Sequence, residues 1–150
     1  MKITFCGHRD FVAGEEYEKR LLDYLEERTA GDNVEFYLGG YGGFDRFALS
    51  CCKKYKATHT DAKLIFVTPY MNIDYQKKHL EYVAKDYDEI VYPDLEGVFS
   101  RYAILYRNRY MVDKSDVVVS YINISCGGAY KTYLYAVKNG KEIYNMGKLK

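Results

Sequence analysis

Tyr37-Leu38-Gly39-Gly40-Tyr41-Gly42-Gly43-Phe44-Asp45-Arg46-Phe47-Ala48 is the stretch whose reading decides the fold. An apolar run, Val34 to Leu38, stops at four glycines within five residues, and an amphipathic segment begins at Phe44. This is the pattern of strand, glycine turn and helix. Glycine lets a backbone approach a ligand with no Cβ in the way. The free N–H groups and the positive dipole end of the following helix then suit an anion, phosphate above all. A tight turn with no ligand gives the same local pattern, so the rest of the chain must decide between them.

Outward from that stretch the alternation continues. A short apolar strand, Ile3 to Cys6, leads into the loop Gly7-His8-Arg9-Asp10. A helix opens at Gly14-Glu15-Glu16, acidic in its first turn, and runs to about Thr29 with Tyr17, Leu21, Leu22, Tyr24 and Leu25 as its inner stripe. Helix two is expected from about Gly43 to Lys56, with Phe44, Phe47, Ala48, Cys51, Cys52 and Tyr55 at i, i+3, i+4 spacing. Strands follow at Lys63 to Thr68, Glu89 to Tyr92, Asp116 to Tyr121 and Glu142 to Asn145. Between them lie a weaker helix, Tyr75 to Lys85, and two stronger ones. Ser100 to Lys114 turns Ala103, Ile104, Tyr110 and Met111 inward, and Gly128 to Lys138 buries Tyr130, Tyr133, Leu134 and Val137.

Strands alternating with helices at this spacing predict a Rossmann-like α/β/α sandwich with a mostly parallel sheet of five to six strands. At 150 residues the chain reads as a single domain, 1–150. In such sheets a ligand sits beyond the carboxyl ends of the strands, at the point where strand order reverses. Four loops of interest fall on that edge: Gly7-His8-Arg9, Gly39 to Gly43, Pro69-Tyr70, and Ser125 to Gly128.

Charge narrows the function. The formal net charge is +1, from 22 basic and 21 acidic residues, and the two signs are interleaved. Duplex-DNA binders carry an excess or a stripe of Lys and Arg, so nucleic acid is not the expected partner. No apolar run reaches the ~20 residues that span a bilayer, so no membrane association is expected. Met1-Lys2-Ile3-Thr4-Phe5 enters a strand directly, without the apolar core of a signal peptide, and the protein reads as cytoplasmic. The four cysteines, Cys6, Cys51, Cys52 and Cys126, form no C-x-x-C pair and no zinc spacing with His. No metal or cofactor is expected. Eighteen tyrosines and no tryptophan imply many rings packed with their hydroxyls at the rim.

Candidate ligand contacts follow from the loops. Arg9 after the first strand has the fork geometry for a phosphate, and His8 beside it is a loop hydrogen-bonder by default. Asp45, in the first turn of helix two, complements the dipole or, with a raised pKa, serves as acid or base. Tyr70 offers a ring on which a base can stack. Cys126 is a small packing residue or a thiol activated by a helix start. Arg107 and Arg109 lie two apart on one helix, about 200° around it, so only one can face a ligand. His59 and His79 have no chemical partner in the sequence and read as surface residues.

The second half of the chain carries a resemblance. Arg107-Asn108-Arg109-Tyr110-Met111-Val112-Asp113-Lys114-Ser115-Asp116-Val117-Val118-Val119 is followed by Cys126-Gly127-Gly128 and by Ala136-Val137-Lys138-Asn139-Gly140-Lys141-Glu142-Ile143-Tyr144. With Gly39-Gly40-Tyr41-Gly42-Gly43, this order resembles the SLOG superfamily (SMF/DprA–LOG). Cys6-Gly7-His8-Arg9 is similar to its small standalone YpsA-like branch. The resemblance implies a protein that binds or senses a nucleotide or nucleotide-derived molecule, commonly as a homodimer. It places ligand contacts at Gly7, His8, Arg9, Gly39, Gly40, Gly42, Gly43, Asp45, Tyr70, Arg107, Cys126, Gly127 and Gly128. Arg107 stands where the Lonely Guy branch of phosphoribohydrolases has its catalytic arginine. The chain departs from that branch at Cys126, where the branch has proline, in lacking Gly-Thr after the glycine pair, and in having no glutamate near Tyr133 or Leu134. Binding is therefore the expected function. A nucleoside 5'-monophosphate phosphoribohydrolase using Asp45 and Arg107 is the alternative, and a DNA-processing protein follows behind it.

Overall fold

The computed structural model describes residues 1–149. Six strands form one sheet: β1 (Lys2–Gly7), β2 (Glu35–Leu38), β3 (Lys63–Val67), β4 (Glu89–Val91), β5 (Val117–Tyr121) and β6 (Glu142–Asn145). Every pairing is parallel and the order is β4-β3-β2-β1-β5-β6. This is the parallel sandwich that the alternation of elements predicts. The chain steps outward from β1 through β2, β3 and β4, then crosses to β5 and β6 on the other side. The reversal puts the loops after β1 and β5 on either side of a crevice at the carboxyl edge.

Period-two alternation sorts the strand side chains onto two faces. On one face Ile3, Phe5, Phe36, Leu38, Leu64, Val117 and Val119 pack against α1 (Glu15–Thr29) and α2 (Gly42–Thr58). The expected stripe of α2 is all there: Phe44, Phe47, Ala48, Cys51, Cys52 and Tyr55 are buried. On the other face Cys6 and Val118 meet Val112 and Ala136, and Tyr37, Ile65 and Val67 meet Met111. That layer is α5 (Ala103–Lys114) and α6 (Gly128–Lys138). α1 ends because Ala30 turns left-handed (φ 44°) and returns its N–H to the Glu26 carbonyl, with Gly31 (φ 88°) continuing the turn.

Three elements differ from the sequence reading. The weak helix is a composite of α3 (Ile73–Tyr75), a π turn (Gln76–Leu80), α4 (Glu81–Val83) and a 3-10 turn (Ala84–Asp86). α6 is rotated from the expected face. It buries Thr132 and Ala136, while Leu134 and Val137 are 44% and 49% exposed. Small side chains let the helix lie close to β1 and β5, and the larger apolar ones are left outside. Ile104 is exposed for a similar reason, since α5 buries Ala103, Arg107, Met111 and Val112. Among the described residues no helix is long and apolar enough to cross a membrane.

Candidate functional site

Arg107 is the largest fully buried side chain, 1% exposed, and it rises from α5 over the carboxyl ends of β2 and β3. Nη1 donates to the carbonyls of Gly39 (3.0 Å) and Val67 (2.6 Å), and Nε donates to Asn108 Oδ1 (2.9 Å). Nη2 has no hydrogen-bond partner among the described residues. A Cβ on Gly39 would sit 3.1 Å from it, so that glycine makes room for the guanidinium. Burial pulls the Arg107 pKa down, and the charge of Asp45 together with nearby tyrosines opposes that. The partners bonded to this buried cation are neutral carbonyls and an amide, so the nearby charge of Asp45 acts on it through space and no carboxylate is hydrogen-bonded to it among the described residues.

Asn108 extends the network. Its Nδ2 donates to Thr132 Oγ1 (3.3 Å), and that hydroxyl donates to the Gly128 carbonyl (3.1 Å) in the first turn of α6. Gly39 and Gly128, one from each glycine loop, are thus joined through Arg107, Asn108 and Thr132. The start of α6 is open. Gly127 is left-handed (φ 93°), and a Cβ built on Gly127 or Gly128 would meet nothing within 4 Å. Cys126 beside them is exposed.

The first glycine loop is filled by the chain itself. The loop after β1 lies on it: Gly43 N–H donates to the Arg9 carbonyl (2.8 Å), and a Cβ on Gly43 would stand 2.2 Å from the Phe11 carbonyl oxygen. Gly42 (φ 88°) abuts the Arg9 backbone and Gly40 (φ 72°) abuts the Phe66 ring. Gly7 leaves space for the Phe44 ring, which its Cβ would meet at 2.3 Å. These glycines permit close backbone contacts, and the Gly43 donor is already used. Arg9 itself is exposed. His8 is buried, and its Nε2 accepts from Asn123 N–H (3.2 Å), tying the loop after β1 to the loop after β5. Asn145 of β6 grips that second loop, accepting from Ile122 N–H and donating to the Ile122 carbonyl.

Asp45 caps α2 by accepting the Tyr41 N–H at 2.8 Å. Its side chain retains some surface but its carboxyl is enclosed. Desolvation pushes its pKa up to about 6, against the pull of the Tyr41 N–H and of Arg107 and Arg46. Around the Arg107 guanidinium stands a group of rings that sequence reasoning did not assemble. The Tyr41 ring lies 5.3 Å from the guanidinium carbon, and its hydroxyl is 3.0 Å from that of Tyr75. Tyr75 packs on Tyr70 and on His79. His79 is not the surface residue expected: it is half-buried, near-parallel to Tyr41 and tilted on Phe66. His59 likewise is half-buried, stacked on Tyr55 at 3.9 Å. The π turn had no sequence signal, and it is what brings His79 under Tyr41. Asn108, adjacent to Arg107, was legible only as part of the Arg-Asn-Arg run.

A separate groove of about 570 Å³ lies between the start of α1 and α2, lined by Phe11, Val12, Gly43, Arg46 and Phe47 among others. Arg107 is not part of it. The carboxyl edge of the sheet, with Arg107 and Asp45 over it and the start of α6 open beside it, is the better candidate on chemistry, since it concentrates the perturbed groups.

A six-stranded parallel sheet in this order is a fold the chain shares with solved structures, and it agrees with the Rossmann-like fold that the SLOG resemblance implies. Within it, the chain belongs to the family of the SPβ prophage-derived protein YoqJ of Bacillus subtilis strain 168, to which it is 30% identical over 145 residues, 85% of each chain. No protein-family model matches it. Among solved structures it is similar to the DNA processing protein A of Streptococcus pneumoniae, with TM-score 0.62 and 16% identity over 96% of this chain. It spans about half (49%) of that protein's length. It is also similar to the molybdenum cofactor carrier protein of Chlamydomonas reinhardtii, with TM-score 0.54 and 15% identity over 95% of this chain and 73% of that one.

Proposed function

We propose that this chain binds a nucleotide or nucleotide-derived small molecule in the crevice between the two glycine loops, as a cytoplasmic homodimer. The observation that carries the reading is Arg107: a cation buried without a bonded carboxylate, wired to both loops, with Nη2 unpartnered among the described residues. An anion supplies what that site lacks. The uncapped start of α6, with open space before Gly127 and Gly128, offers backbone donors to the same anion. Tyr41, Tyr70 and Tyr75 give the faces on which a base can stack. The two solved relatives are by name a DNA processing protein and a molybdenum cofactor carrier, so the fold accommodates quite different ligands.

Asp45 favours a second reading. A carboxyl with a pKa of about 6, near Arg107, suits acid or base work on a nucleoside monophosphate. Mass spectrometry of molecules that copurify with the protein, followed by calorimetry with nucleoside monophosphates and inorganic phosphate, tests the first reading. Binding is expected, weakened roughly tenfold to hundredfold in Arg107→Lys, the loss of one charge-assisted fork. No copurifying molecule and no heat with any of these probes would sink it.

A further inference from the structure

Asn108 sits in the middle of α5, half-buried, where asparagine is a poor helix former. Its amide is used at both ends. Oδ1 accepts from Arg107 Nε (2.9 Å), and Nδ2 donates to Thr132 Oγ1 (3.3 Å). Chemistry fixes that orientation: a guanidinium carries donors only, so the amide oxygen faces it and the amide nitrogen faces α6. Thr132, 2% exposed, then gives its one hydroxyl proton to the Gly128 carbonyl (3.1 Å). Every bond in this line donates toward α6. On Arg107 itself, Nε and Nη1 are spent on Asn108 and on the Gly39 and Val67 carbonyls, which sets the plane of the fork. Nη2 has no bond, yet the sealed and unpartnered side-chain atoms among the described residues are Arg109 Nε and Ser120 Oγ. Nη2 therefore holds part of the trace of surface that Arg107 keeps.

We infer that Asn108 is a positioning residue that holds the Arg107 fork with Nη2 toward the anion of the ligand and does so without neutralising the cation. This rests on the anionic ligand proposed above. A residue at 108 must accept from Nε on one side and donate to Thr132 on the other. Aspartate has the same shape and accepts from Nε more strongly, through a charge-assisted bond. It would give the buried cation the bonded carboxylate that it lacks, and a cation left without one is costly. Stability alone favours aspartate there. Asparagine keeps the geometry and leaves the charge to the ligand. The carboxylate that does act on Arg107, Asp45, is tied to the Tyr41 N–H instead.

Asn108→Asp and Asn108→Ala separate position from charge. Asparagine and aspartate are close in helix propensity, so the first variant changes the charge and the donor to Thr132. At pH 7.5 Asn108→Asp should unfold at a higher denaturant concentration than wild type. A carboxyl bonded to a cation titrates in the folded state below its unfolded value of about 3.9, so the gain is present above that pH and is lost as pH falls below it. Asp45 is common to both chains. Asn108→Ala should unfold at a lower concentration than wild type, having lost both bonds.

Affinity, by calorimetry with adenosine monophosphate and with inorganic phosphate, should run the other way. Asn108→Asp should bind roughly tenfold to hundredfold more weakly than wild type, and Asn108→Ala, which keeps the cation free, less than about tenfold more weakly. The more stable variant is then the poorer binder, whereas a merely structural link between α5 and α6 makes affinity follow stability. Asn108→Asp that binds as well as Asn108→Ala, or that unfolds before wild type at pH 7.5, would overturn the inference. Wild type that binds neither probe sinks the ligand reading and this role with it, while binding that survives in Asn108→Asp sinks this role alone.

Discussion

At the scale of single residues, a buried arginine and a half-buried carboxyl set the terms. Arg107 holds the ends of β2 and β3 together by donating to the Gly39 and Val67 carbonyls. Arg107→Ala leaves both carbonyls without a donor and should cost about 3–5 kcal/mol in chemical denaturation. Arg107→Lys, keeping charge but losing the fork, should fall between. An unchanged unfolding midpoint for Arg107→Ala would show that water replaces the guanidinium freely. Asp45 acts in the opposite sense. Its pKa is raised from 3.8 to about 6, so the native state holds its proton more tightly than the unfolded chain does. Ionising it opposes folding: the penalty is absent below about pH 4, grows through the window from 3.8 to about 6, and is constant above. Asp45→Asn should therefore gain about 1–3 kcal/mol over wild type at pH 7.5 and nothing at pH 3.5. A difference that does not change with pH would contradict this origin. The sequence showed Arg107 and Asp45 as charged residues near glycine loops. It did not show that one is sealed over the sheet edge, because burial depends on which residues arrive from the other layer.

At the scale of elements, the glycine loops separate into two kinds, and the sequence could not distinguish them. Glycines written alike in Gly39 to Gly43 and in Gly127-Gly128 face opposite conditions. The first set is pressed by Arg9, Phe11, Phe66 and Arg107, and the second by nothing. Gly43→Val should therefore displace the loop after β1 and destabilise the protein by about 1–3 kcal/mol or more, from overpacking alone. Gly128→Ala, in the first turn of α6, should leave stability unchanged or raise it by up to about 1 kcal/mol. If a ligand approaches that turn, the same substitution should weaken nucleotide binding in calorimetry. Equal losses of stability in both variants would mean that the open start of α6 is packed in solution. The strands and α2 were legible because β-branched runs and an unbroken i, i+3, i+4 stripe leave one choice. The face of α6 was not, because Tyr, Leu and Val on a helix suit a core and an interface equally. Thr132 and Ala136 gave the close approach to the sheet that decided between them.

At the scale of the whole molecule, the sheet order decides what chemistry the site can do. Asp45 comes from α2 on one layer and Arg107 from α5 on the other, and each feels the other's charge because both helices begin over the carboxyl edge of the same parallel sheet. α6, the element that closes the crevice, brings no carboxylate: the positions near Tyr133 and Leu134 are aromatic or apolar, and Leu134 points outward. Cleavage of an N-glycosidic bond needs a group that activates water at the ribose carbon or protonates the departing base. Asp45 is the carboxylate that α2 brings to this edge, and it is anchored to the Tyr41 N–H, which under the proposed reading suits holding a nucleotide rather than splitting it. Adenosine monophosphate incubated with the protein at pH 6 and 7.5 should therefore yield no adenine at enzymatic rates, followed by chromatography over hours. Adenine release at rates of ~1 s⁻¹ or faster, ordinary for an enzyme, and abolished by Asp45→Asn while binding persists, would instead make Asp45 the catalytic acid. Release that survives Asp45→Asn would point to a carboxylate supplied from outside the crevice, and the two-layer account of this site would have to be given up.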